Sequence, residues 1–70
     1  MIVFAERLKE LRKEKDLTQK EIANKLGVSR VAYTNWENGK REPNIERFVK
    51  LADYFNVSID YLVGRKNHRK

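Results

Sequence analysis

Residues 27–40 read GVSRVAYTNWENGK. Wound as a helix at about 100° per residue, Ala32, Tyr33, Trp36 and Glu37 fall on one half of the wheel, and Arg30, Val31, Thr34, Asn35 and Asn38 on the other. Two large rings mark the first half as the core side. The second half is unlike an ordinary solvent face, where Lys and Glu predominate. It offers a planar fork of donors (Arg30), a branched methyl surface (Val31), a hydroxyl (Thr34) and a primary amide (Asn35). Those groups match the edges of bases in a duplex. Arg30 can donate two bonds to guanine O6 and N7, and Asn35 can make the paired contact to adenine. Val31 can meet a thymine methyl, while Thr34 can serve a base or a phosphate.

Such a face must be held by its surroundings, and the apolar positions predict five short helices and no alternating strand pattern. They cover 3–15 (Phe4, Leu8, Leu11), 19–26 (Ile22, Ala23, Leu26), 30–38, 45–56 (Ile45, Phe48, Val49, Ala52, Phe55) and 59–63. The starts are marked. Thr18 and Glu21 read as a capping box, flanked by Leu17 and Ile22 at the positions of a hydrophobic staple. The spacing recurs in Val28–Ser29–Tyr33 and Val57–Ser58–Leu62, and more loosely in Pro43–Asn44–Phe48. Gly27 and Gly39 stand where helices should stop. A helix ending at Leu26, a three-residue glycine-containing turn and a second helix form a helix-turn-helix unit, whose second helix can enter the major groove.

The chain has 70 residues and a net charge of +6. That is one small domain with a thin core. Of the charge, +4 lies in the last seven residues, GRKNHRK, which leaves +2 for residues 1–63. Binding to a polyanion therefore has to come from placement rather than from overall charge. We read residues 1–64 as the domain and 65–70 as a basic, flexible tail. Cysteine is absent, which excludes disulfides, thiolate zinc sites and cysteine nucleophiles. No stretch approaches the length of a membrane span, and MIVFA is too short for a signal-peptide core. The single histidine, His68, lies in the tail. No metal-ligand cluster, phosphate-cradling glycine loop or activated serine is evident, so no enzyme, cofactor, metal or small-molecule ligand is expected. Glu10 and Glu14 suit a solvent face laced with Lys and Arg.

The run TQKEIANKLGVSRVAYTNWENGKREP resembles the DNA-binding domain of phage repressors and Cro, and of the bacterial regulators of xenobiotic-response-element type. The resemblance extends from about Ala5 to Gly64 and includes NIERFVKLADYFNVSIDYLVG. It implies an all-α, five-helix, lambda-repressor-like fold with the helix-turn-helix at helices two and three. It also implies sequence-specific binding of double-stranded DNA by a transcriptional regulator, most often a repressor acting by operator occupancy. Such a protein would be cytoplasmic, bacterial or phage-encoded, and would bind an inverted repeat as a homodimer. Arg30, Val31, Thr34 and Asn35 would read bases. Gln19, Ser29, Asn38, Lys40 and Arg41 would lie against the DNA backbone. For Gln19 physics agrees, since free N–H groups at a helix N-terminus favour phosphate. The resemblance further implies a structural ion pair, Arg12 to Glu37, and a dimer contact near Ile59 and Tyr61. For the rings of Tyr54 and Tyr61, capping the monomer core is the competing role. A rival function for the same fold is a protein-interaction or antitoxin-type module. The base-suited Arg30 and Asn35, beside Gln19 and the basic loop, favour DNA.

Overall fold

The computed structural model describes residues 2–70. Five helices follow one another: α1 (Ile2–Glu14), α2 (Gln19–Leu26), α3 (Arg30–Glu37), α4 (Ile45–Phe55) and α5 (Ile59–Leu62). Among the described residues there is no strand. The expected boundaries hold to within one residue.

Each start from α2 onward is fixed by its own cap. Thr18 Oγ1 accepts from Glu21 N–H at 3.1 Å, and Glu21 Oε1 accepts from Thr18 N–H at 2.8 Å. Ser29, Asn44 and Ser58 accept from Ala32, Arg47 and Tyr61 N–H in the same way. Each cap satisfies a backbone donor that the helix leaves without a partner, for about 1 kcal/mol. Gly27 closes α2 at φ +72°, where its N–H reaches Asn24 O and Val28 N–H reaches Ala23 O. That left-handed conformation is easy only for glycine.

The helices enclose one core. Phe4, Leu8 and Leu11 of α1 meet Ile22, Ala23 and Leu26 of α2, with Tyr33 and Trp36 of α3 and Phe48, Leu51 and Phe55 of α4. The Phe4 and Phe48 rings stand 4.9 Å apart, and Tyr33 meets Trp36 edge to face at 5.9 Å. Helix α1 packs on α3 and α5, α2 packs on α3, and α4 packs on α5. Not every apolar residue of α4 is covered. Ile45 and Val49, which share the apolar spacing of the helix, are 71% and 43% exposed. The inward face runs through Phe48, Leu51, Ala52 and Phe55, so the apolar stripe of α4 is wider than the surface that covers it.

The C-terminal residues pack against α1 and the core. Tyr61, expected at a dimer contact with Ile59, is buried in the core, with the Arg7 guanidinium 4.1 Å and that of Arg69 5.7 Å from its ring centre. Ile59 is half-buried against the same core. The basic tail, expected to be flexible, is folded back on the helices. Arg69 reaches both carboxylate oxygens of Glu14 at 2.6 and 2.8 Å, and its carbonyl accepts from Ser58 N–H. Arg7 donates to the carbonyls of Tyr61 and Lys66. Two acidic residues of α1, Glu10 and Glu14, are what Arg69 finds. The pairing holds the Glu14 carboxyl below its usual range, through its hydrogen bonds to Arg69.

Candidate nucleic-acid interface

Tyr33 is fully buried and Trp36 is 6% exposed, so α3 is pinned by one side. The other side faces out. Arg30 is exposed, Val31 is 71% exposed, and Thr34 and Asn35 lie at half depth between them. An exposed valine on a short helix that already has a core face has no packing role. The loop after α3 returns to the same helix: Asn35 C=O accepts from Lys40 N–H at 3.0 Å and from Arg41 N–H at 3.4 Å. Those bonds hold two exposed cations beside the end of the outward face, with Asn38 also exposed. Ser29 is exposed, but its oxygen is engaged as the α3 cap, so its proton is what it can offer outside.

Behind this face lies a buried charge. Arg12 Nε donates to Glu37 Oε2 at 2.7 Å and Nη2 donates to Oε1 at 3.2 Å. Their side chains are 11% and 1% exposed. Arg12 also donates to the carbonyl of Leu17, between α1 and α2. Glu37 receives two more donors, Tyr33 Oη at 2.5 Å and Gln19 Nε2 at 3.1 Å. Four donors saturate a carboxylate. No buried side-chain polar atom lacks a partner among the described residues. Burial alone would push the Glu37 pKa up, but the hydrogen bonds from Arg12, Tyr33 and Gln19 outweigh it and hold it below the usual carboxylate range. Burial, followed by the bond to this carboxylate, drives the Tyr33 hydroxyl well above its ordinary value. The hydrogen bond to Glu37 raises Arg12. The pair thus stays charged and ties α1, α2 and α3 together.

Gln19 belongs to this network. Its amide nitrogen bonds Glu37 and its oxygen accepts from Thr34 Oγ1 at 3.0 Å. The structure brings Gln19 and Thr34 together, fifteen residues apart in sequence, and places both at half depth. Sequence reasoning missed this link because neither residue type names its partner at long range. The Tyr33–Glu37 bond was within reach, since i and i+4 lie on one helix face.

The pattern of the family described as helix-turn-helix matches residues 8–62. This chain belongs to the helix-turn-helix family. An HTH-type transcriptional regulator of Bacillus subtilis, YqaE, is 43% identical over 68 residues, covering 97% of this chain and 59% of the relative. The crystal structure of a transcriptional regulator from Listeria innocua superposes with a TM-score of 0.81 at 43% identity, over 87% of this chain and 57% of that one. The solution structure of the DNA-binding domain of the P22 c2 repressor does so at 0.78 and 34% identity, over 87% of this chain and 80% of that domain. As a helix-turn-helix member, the chain spans between 30% and 59% of the length of the first curated relatives it matches. Those relatives are named as transcriptional regulators rather than as enzymes. No helix among the described residues is long and apolar enough to cross a membrane.

Proposed function

We propose that this helix-turn-helix chain is the sequence-specific, double-stranded-DNA-binding unit of a transcriptional regulator, a repressor that acts by occupying its operator. One observation carries the reading: Tyr33 and Trp36 anchor α3 while Arg30, Val31, Thr34 and Asn35 stand together on its outer face. Arg30 and Asn35 are assigned to base edges through paired bonds, and Val31 to a thymine methyl. Lys40, Arg41, Asn38, Ser29 and the α2 start at Gln19 are assigned to phosphates, which position the helix without reading sequence. The likeness to the DNA-binding domain of a repressor supports DNA as the partner. Action by occupancy needs no chemistry and no cofactor, and its place is the cytoplasm of a bacterium. A helix of eight residues reaches only a few base pairs. Two copies on an inverted repeat, with reading helices about 34 Å apart, supply the selectivity that one lacks.

Titration against duplex DNA over a range of salt tests the reading. The chain should bind with a steep inverse dependence on salt, and Lys40→Ala should weaken all duplexes alike while reducing the slope by about one unit. Asn35→Ala should relax preference at one base position, worth about 1–3 kcal/mol, and leave non-specific binding nearly intact. Binding to duplexes that ignores salt, or an Asn35→Ala variant with unaltered preference at every position, would count against these assignments.

A further inference from the structure

The direction of the hydrogen bonds around Gln19 limits what Thr34 can recognise. Glu37 carries two oxygens that already receive Arg12 and Tyr33 as donors. A carboxylate can only accept. The end of the Gln19 amide that faces it, 3.1 Å away, is therefore the NH2 group. A flipped amide would set carbonyl against carboxylate. With nitrogen inward, the Gln19 oxygen points to Thr34 Oγ1 at 3.0 Å. A proton must lie between two oxygens at that distance, and an amide oxygen has none to give. The Thr34 hydroxyl donates it. A hydroxyl has one proton, so only its lone pairs remain for a group approaching from outside.

We propose that Thr34 is a specificity-determining residue that accepts a hydrogen bond from the exocyclic amino group of an adenine or a cytosine, and that Gln19 and Glu37 act as positioning residues by fixing the proton of its hydroxyl. The proposal rests on the DNA-binding reading above. It narrows the role expected for Thr34 from its residue type alone. Phosphate oxygens only accept, and so do guanine N7 and O6 and thymine O4 in the major groove. A threonine whose proton is committed repels all of these. Only adenine N6 and cytosine N4 present the donor that it can use. A free threonine hydroxyl rotates to suit either kind of partner. Here the buried Arg12–Glu37 pair removes that freedom through one intervening amide.

The test uses the full 70-residue chain and duplexes enriched from a randomised pool, with each half-site position varied in turn under competition. Wild type should prefer adenine or cytosine at one position, and Thr34→Val should lose that preference by about fivefold, the worth of one hydrogen bond. The other positions should be unchanged. Thr34→Ser, which keeps the hydroxyl, should restore the preference. Gln19→Ala should admit guanine and thymine at that position, because it releases the proton. Replacing an adenine there by purine without its 6-amino group should weaken wild type about fivefold and Thr34→Val not at all. A Thr34-dependent preference for guanine or thymine would overturn the proposal. So would a Thr34→Val profile identical to wild type in a variant whose circular dichroism shows it folded. A wild type with no preference at any position would overturn the functional reading itself, and this proposal with it.

Discussion

Trp36→Ala is expected to remove about 3–5 kcal/mol of stability, the range for truncating a well-buried ring. The indole is 6% exposed and meets Tyr33 edge to face, and both rings hold α3 to the rest of the core. The loss is severe because small domains are only marginally stable, at about 5–15 kcal/mol. Removing the ring also removes the anchor that sets the tilt of the outer face, so DNA affinity should fall with the folded fraction. Trp36 is the only tryptophan in the chain, so the comparison is made by urea unfolding followed by far-ultraviolet circular dichroism. A variant as stable as wild type would mean that the ring does not anchor α3, and the division of that helix into core and reading faces would fail.

Glu37→Gln is expected to cost a comparable amount, about 3–5 kcal/mol, by leaving the Arg12 guanidinium charged and uncompensated. The size follows from burial, since the same pair on the surface would be worth about 0–1 kcal/mol. The substitution also spoils the four-donor arrangement, because an amide nitrogen then takes the place of one accepting oxygen. The acid limb of the stability curve supplies a second readout. The Glu37 pKa is lowered in the folded state, so its contribution is fully present above the ordinary value of 4.5 and is lost as pH falls through the folded value below it. Glu14, through Arg69, and Glu21, through the backbone N–H of Thr18, are lowered as well and add to the slope in the same window. Wild type should therefore lose stability steeply below about pH 4.5, and Glu37→Gln should show a shallower limb starting from a lower plateau. Identical acid limbs in the two proteins would remove Glu37 from this role.

What could be read from the sequence divides by range. The caps at Thr18, Ser29, Asn44 and Ser58 were legible because an N-cap acts on a backbone group three residues away and needs no tertiary partner. Gly27 was legible for a similar reason, since its conformation follows from its own missing Cβ. The apolar spacing places the ends of α1 and α4 to within a residue, but not the left-handed conformations that close them, Asp16 at φ 56° and Asn56 at φ 57°. Those residue types visit that region without announcing it. The faces of α3 were set by two rings too large to lie outside. The exposure of Ile45 and Val49 is not legible, because periodicity counts apolar residues and does not show which neighbour covers them. Tyr61 and the tail depended on Arg7, Glu14 and Arg69, partners some fifty residues away along the chain. Arg12 and Glu37 were paired only through the family resemblance, and they meet in the structure. The polarity imposed on Thr34 needed atomic contacts, because it depends on which end of one amide faces a carboxylate.

The central claim is that the outer face of α3 reads base pairs. Selection from a randomised duplex pool at physiological salt, followed by alignment of the enriched sequences, tests it most directly. The expected result is a two-fold symmetric motif whose half-sites lie one helical turn apart, about 10 base pairs from centre to centre. Recovery of unenriched sequences, held only weakly and released by salt, would contradict it and leave the face to a protein partner.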